Sequence, residues 1–546
     1  MYITATIALA LLLQAPASAK ASIEGRAVRA GTSDPIARVE VIARPADGSR
    51  ASQPVATDAQ GHFAIENLDP GLYSLEADRN GFGPQRYGQR KPRGPATELN
   101  LAAGQELKDL VFRLIPAGAV SGRITDETGE PLLGINIGIE ETVYWDSGAR
   151  RLQAVKTATT DDRGEYRVFM LPPGRYYMKA APFFAGVLEK GLINPNYVAT
   201  YYPGVPDSAN AAAIDLDPGA EVGGIDLVLR RQQLFSIHGR LVDSRTGKPP
   251  DLPPAFELHR RDSGDQVLVG GRDYNPADGT FALLNVPPGT YWIVARLYMM
   301  RVEEQNRLRG VTRIVRTPVD LSTSDISNVL LQLPPEISIA GRISMDDGSA
   351  VANLQDLGQY RLSLRMKEPP GLASSTFEAP IRPDGTFLIE NVQPGDYNLW
   401  LYPPQSKHYI KAARLDGRDV LSGVQVSAAP SEGLDVLLGS DTAHIEGTIV
   451  DSDHKPVTGV AVVLIPTRER ERRDLYRMSI TDQRGRFALP PAVPGEYKLF
   501  AWEDFEGQAY MDPDLLRKYE ELGTPVNVAP SSASDVEVKL IPASQQ

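Results

Sequence analysis

Two stretches hold the side chains best suited to gripping a ligand. Residues 181–207 read APFFAGVLEKGLINPNYVATYYPGVPD, and residues 501–523 read AWEDFEGQAYMDPDLLRKYEELG. Tyr197, Tyr201 and Tyr202 in the first, and Trp502, Phe505 and Tyr510 in the second, stand among Asp, Glu, Asn, Gly and Pro. Clustered rings on polar loops can form platforms for a sugar face, with carboxylates and amides as hydrogen-bond partners. The same rings have a plainer use. They can fold back to plug the end of their own domain, or pack against a neighbour. A shorter stretch of this kind, NGFGPQRYGQR, occupies residues 80–90.

Other chemistries find little support. The six histidines are His62, His238, His259, His408, His444 and His454. None falls in an HExxH pattern or has the spacing of a zinc site. No nucleophile elbow, phosphate loop or dinucleotide fingerprint is present. Glu503, Asp504, Asp512 and Asp514 form an acidic group whose spacing fits no calcium loop and reads as a solvated loop. Asp512 and Pro513 are suited to cap and start a short helix over DPDLLRKYEE. The expectation is therefore no catalytic residue, no metal and no cofactor.

Composition narrows the class further. A net charge of −12 argues against a nucleic-acid partner, which needs a basic face. The run RYGQRKPR at 86–93 is local and reads as a solvated loop. Cysteine is absent, so disulfides and thiol chemistry are excluded. Residues 1–19, MYITATIALALLLQAPASA, have the apolar core and small-x-small end of a cleaved export signal. This predicts a secreted or periplasmic protein, with no transmembrane segment after cleavage. At 546 residues the chain needs several domains.

One pattern recurs five times at intervals of about 100 residues, too long for a solenoid unit and the right size for a domain. Each copy opens on a strand running into glycine, at Gly25, Gly122, Gly239, Gly341 and Gly447, followed by Arg or, in the last, Thr. Next comes a polar turn such as TDDRGEYRVFMLPPGRYYM from Thr160. Asp58, Asp161 or Asp162, and Asp482 are placed to accept backbone N–H groups in that turn, and Gly61, Gly164, Gly279, Gly385 and Gly485 to close it with positive φ. Alternating residues such as Phe63 and Ile65 then face a core. Every copy continues with Pro-Gly, at Gly71, Gly174, Gly289, Gly395 and Gly495, read as a type II turn. A tyrosine follows two residues later: Tyr73, Tyr176, Tyr291, Tyr397 and Tyr497. Its expected role is a ring in the core with its hydroxyl tied to backbone.

Many short strands with frequent turn signals predict an all-β protein. The reading is five tandem Ig-like antiparallel β-sandwiches in an extended chain: sandwich 1 at 20–116, sandwich 2 at 117–233, sandwich 3 at 234–335, sandwich 4 at 336–441 and sandwich 5 at 442–546. Short Pro-containing joints predict a semi-rigid string.

The segments GRITDETGEPLLG at 122–134 and GTIVDSDHKPVTG at 447–459, with the Thr-Asp-x-x-Gly and Pro-Gly-x-Tyr elements, resemble the carboxypeptidase regulatory-like domain. Sandwiches 3 and 4 depart from that pattern, lacking its final glycine and, in sandwich 4, its proline. The resemblance implies a prealbumin-like sandwich close to the carbohydrate-binding-like fold, and a non-catalytic accessory role. The function expected is binding of a polysaccharide or a cell-surface or periplasmic protein through the aromatic loops. The alternative is a structural spacer or protein-binding module with no small ligand.

Overall fold

The computed structural model describes residues 19–543 except 92, 145–147, 149, 183–196, 268, 270, 304–306, 356, 369–371, 373, 405 and 505–506, and gives no side-chain detail for 299–312. The expected export signal, up to residue 18, and Phe183, Phe184 and Phe505 lie outside the described residues. The protein is all-β, with one short α-helix, Pro513–Tyr519, among the described residues. No described helix is long and apolar enough to cross a membrane.

One plan repeats five times. In sandwich 1 the opening strand Ala21–Arg29 pairs antiparallel with His62–Leu68 and parallel with the closing strand Glu106–Leu114. A second sheet holds Glu40–Pro45 beside the tyrosine strand Gly71–Asp78. Alternate residues of both sheets, among them Ile23, Phe63, Tyr73, Leu75 and Phe112, meet in one core. The opening strands Gly118–Asp126, Phe235–Asp243, Ile337–Met345 and His444–Val450 take the same central place in the other four. In each sandwich the opening and closing strands pair in parallel, the closing strand of sandwich 2 being split in two, Glu221–Val222 and Leu227–Leu229.

The recurring residues have local reasons. Asp58 accepts from the N–H groups of Gln60 and His62, Asp161 from Arg163 and Glu165, and Asp482 from Arg484 and Arg486. The turn glycines Gly61, Gly164, Gly279, Gly385 and Gly485 have φ between 72° and 81°. Tyr73, Tyr176, Tyr291 and Tyr397 each donate the hydroxyl to the carbonyl four residues earlier, at Asp69, Pro172, Pro287 and Gln393.

The opening-strand glycine answers to two remote neighbours. A Cβ on Gly25 would meet the Leu110 carbonyl at 2.5 Å and the Phe63 ring at 2.8 Å. At Gly447 the same atom would meet the Val536 carbonyl at 1.9 Å and the Phe487 ring at 2.9 Å. The following Arg folds over the polar turn, with Arg123 donating to the Arg163 carbonyl and Arg240 to that of Asp278.

Two expectations need correction. Gly71, Gly395 and Gly495 have φ of 155°, 158° and 159° and begin the tyrosine strands, so the Pro-Gly pair does not make a type II turn. The left-handed residue comes four positions earlier, at Asn67, Met170, Asn285 and Asn391, where the paired strand slips register in a bulge. Asn tolerates that conformation better than most side chains, which accounts for three of these four residues.

The second correction concerns the extended string. The chain divides into two compact units, one ending at Pro116 and one running from Ala117 to Gln546. Inside the second unit, sandwich 5 returns to sandwich 2. Gly148, in the turn after the strand Ile135–Tyr144, lies so close to Met511 that a Cβ would meet its carbonyl oxygen at 2.3 Å. Sandwiches 2 to 5 are therefore not simply strung end to end.

Candidate functional site

The variable segments all enter at one place in the fold. Each leaves the end of a tyrosine strand and returns in a strand paired with that strand's beginning. In sandwich 1 the segment lays Phe82 and Tyr87 on its own core. In sandwich 3 it is a long hairpin, Gly289–Glu303 with Arg307–Leu321. In sandwich 4 it supplies the strand Tyr409–Leu415 to the opposite sheet. The aromatic loops of sandwiches 2 and 5 are two cases of this shared device.

Their rings are mostly covered. Tyr197, Tyr201, Trp502 and Tyr510 are 4%, 3%, 2% and 7% exposed, and Tyr202 is half-buried against the core of sandwich 2. These rings do not form the exposed platform the sequence suggested. Apolar area gains more by leaving water than by facing it, and each ring finds a surface nearby to cover.

In sandwich 5 the covered surface is the outer face of the second sheet. Phe500 and Trp502 point outward from Gly495–Trp502, with ring centroids 5.1 Å apart and planes 4° from parallel. Tyr510, Met511, Leu516 and Tyr519 close over them to make a second small core. Asp512 caps the helix by accepting from the N–H groups of Asp514 and Leu515, and Pro513 takes its first turn. The cover is tied down by Arg470, whose guanidinium reaches both carboxylate oxygens of Glu520 at 2.8 Å, and by Arg473, which donates to the Met511 carbonyl. The acidic residue Asp512 is thus a helix cap rather than a metal ligand.

In sandwich 2 the cover is polar. Tyr201 pairs beside Lys179, whose ammonium lies 5.2 Å from the ring centroid, and its phenol hydrogen-bonds Glu140. Glu140 is buried, 4.0 Å from Lys179. Burial pushes its carboxyl pKa up, with Asp265 of sandwich 3 adding to the rise and Lys179 opposing it. Burial and the neighbouring carboxylates also push the Tyr201 phenol up, so it stays a donor. Arg260, Asp265 and Gln266 of sandwich 3 complete a pocket with Lys179, Tyr197 and Tyr201. Its internal volume of about 40 Å³ holds a few waters and excludes a sugar ring. Asp265 Oδ2 is buried there without a hydrogen-bond partner.

The remaining candidates are dispersed. His259 lies 3.0 Å from Glu257, His408 bonds the Tyr360 hydroxyl at 2.8 Å, and His454 lies 3.3 Å from Glu537. Among the described residues no three His, Asp or Glu side chains gather as metal ligands. Sequence reasoning passed over Thr57, Thr160 and Thr481. Each hydroxyl accepts from one backbone N–H and donates to a loop carbonyl, and all three are buried. Thr directly before Asp in three of the five copies was the signal that could have found them. Glu140 and Lys179, in contrast, had no signal beyond their charge.

Comparison with known proteins agrees with the fold. The model of the carboxypeptidase regulatory-like domain matches residues 22–114 and 119–186. Colossin-A of Dictyostelium discoideum is 22% identical over 385 residues, covering 66% of this chain. The match spans only 3% of that protein's length. The minor pilin of Streptococcus agalactiae aligns at 15% identity over 40% of this chain and 97% of its own, with a TM-score of 0.23. A putative carbohydrate binding protein from Pseudomonas aeruginosa aligns at 19% identity over 18% of this chain and 90% of its own, with a TM-score of 0.14. Scores this low assign no function. What the comparison shows is that sandwich 1 and the first part of sandwich 2 match the carboxypeptidase regulatory-like domain.

Proposed function

We propose that this chain is a non-catalytic, exported scaffold whose sandwiches 2 to 5 are held in a fixed arrangement by their inserted segments. The observation behind this reading is the burial of Tyr197, Tyr201, Trp502 and Tyr510, which spend their rings on internal packing rather than display. Domains of this family are typically accessories, and the scattered histidines suit that role. The boundaries proposed for the five sandwiches remain those drawn from the repeats. Polysaccharide binding through the aromatic loops is the weaker reading, because its rings are covered.

The absence of cysteine makes a direct test simple. Cysteines introduced as Arg163→Cys in sandwich 2 and Asp453→Cys in sandwich 5 would take a dye pair at exposed turns. A fixed scaffold gives one narrow distance distribution that salt does not broaden. A broad, salt-sensitive distribution would overturn the reading.

A further inference from the structure

In sandwiches 2, 3 and 5 the outer face of the second sheet is at least partly covered. In sandwich 5 Phe500 and Trp502 lie beneath the helix cover. In sandwich 3 Val294 packs with Ile314 against Leu372 of sandwich 4. In sandwich 2 Lys179 lies under Tyr201. Sandwich 4 differs. Its tyrosine strand Gly395–Tyr402 turns Asn398, Trp400 and Tyr402 outward, and Tyr402 is 57% exposed.

The neighbouring strand supplies charge. Arg361, Ser363 and Arg365 share this face, with Ser363 opposite Trp400 and Arg361 opposite Tyr402. Lys367 continues the row. The Arg365 guanidinium carbon lies 4.8 Å from the Trp400 ring centroid. Across the strands, Glu378 and Asp396 are the carboxylates on this face. Three cations against two carboxylates leave it positive, on a chain of net charge −12.

We propose that this face binds an acidic polysaccharide, a ligand neither the fixed-scaffold reading nor the aromatic loops supply. Rings at alternate positions of one strand lie about 7 Å apart, which suits an extended chain of flat units better than a compact ligand. The apolar faces of the sugars lie on Trp400 and Tyr402. The charges of Arg361, which donates Nη1 to the Gly358 and Tyr360 carbonyls, and of Arg365, which lies on Trp400, attract a carboxylate and set an acidic sugar above a neutral one. Asn398 and Gln425 offer amides to hydroxyls.

The test uses the full chain with three probes: polygalacturonate, size-matched dextran and poly-glutamate. The expected result is saturable, salt-sensitive binding to polygalacturonate, well above that to dextran or poly-glutamate. Tyr402→Ala should weaken it about tenfold, the size of one aromatic contact, without moving the melting temperature, because the ring is exposed. Arg365→Gln should weaken it comparably and flatten the salt dependence. No binding to polygalacturonate overturns the proposal, as does binding that Tyr402→Ala leaves unchanged. Equal binding to poly-glutamate reduces the face to a charge patch and overturns it too.

Discussion

Sandwiches 2 and 5 face the same problem with the same tool and solve it with opposite chemistry. Both extend the tyrosine strand into an inserted segment that folds back over the outer sheet face. Sandwich 5 covers that face with rings and aliphatic chains, Phe500 and Trp502 beneath Tyr510, Met511, Leu516 and Tyr519. Sandwich 2 covers it with a tyrosine over a carboxylate and an ammonium, and relies on sandwich 3 to finish the enclosure. An apolar cover needs no proton to be in place. A polar one is only as good as the charge state of its buried acid. The pair separates a cover insensitive to pH from one that responds to it.

The largest effect should come from removing the centre of the apolar cover. Trp502→Ala deletes a buried ring stacked on Phe500 and edge-on to Tyr519. It should cost about 3–5 kcal/mol, read by urea unfolding, with little change between pH 5 and pH 8. A loss under about 1 kcal/mol, or a marked pH dependence, would put sandwich 5 in the class of sandwich 2. The next effect tests whether the cover also depends on its remote neighbour. Gly148 has φ of 79°, and a side chain there would run into the Met511 carbonyl. Gly148→Leu should cost about 1–3 kcal/mol and speed hydrogen exchange at residues 509–512. Unchanged exchange would show that the contact between sandwiches 2 and 5 does not support the cover.

What could be read beforehand follows the range of each interaction. The Asp58 turn spans four residues, and the Tyr73 hydroxyl reaches a carbonyl four residues away. Interactions that local leave a mark at fixed spacing, and the all-β class follows from their repetition. Gly25 was visible as a recurrence, but its cause was not, because Phe63 and Leu110 reach it from two other strands. The Pro-Gly pair misled for a related reason. Its residue types suit a type II turn, yet the bulge at Asn67 has already turned the chain. The loop rings were hardest. Tyr201 on a polar loop looks the same in sequence whether it faces water or Lys179. Only the fold decides, and it left Tyr402, which stood in an unremarkable strand, among the exposed rings.

A smaller effect probes the polar cover through its proton. The folded-state pKa of Glu140 is raised above its ordinary value of 4.5, chiefly by burial. Folding therefore favours the protonated acid. That contribution is complete below pH 4.5, falls as pH rises through the elevated folded-state pKa, and is lost above it. Glu140→Gln keeps the neutral form at every pH. Relative to the native chain, the variant should gain stability as pH climbs through this window and level off beyond it, by about 1 kcal/mol. A pH-independent difference would mean that Glu140 does not titrate in the folded state as proposed.

The smallest effect asks whether Tyr201 and Glu140 act as a unit. The phenol donates to the carboxylate, and this bond lowers the Glu140 pKa against the dominant push of burial. Tyr201→Phe removes the donor while keeping the ring over Lys179. It should cost about 0.5–1 kcal/mol at neutral pH, where the carboxylate is the better acceptor. It should also extend the titration of Glu140 to higher pH, because the ionised form loses a partner. In a Glu140→Gln background both consequences should shrink, since an amide neither titrates nor accepts as strongly. The double-mutant cycle therefore carries the decision. A coupling that grows with pH makes Tyr201 the residue that lets sandwich 2 hold a charge under its cover. A coupling near zero at every pH makes it a hydrophobic lid, and the contrast with Trp502 becomes one of size alone.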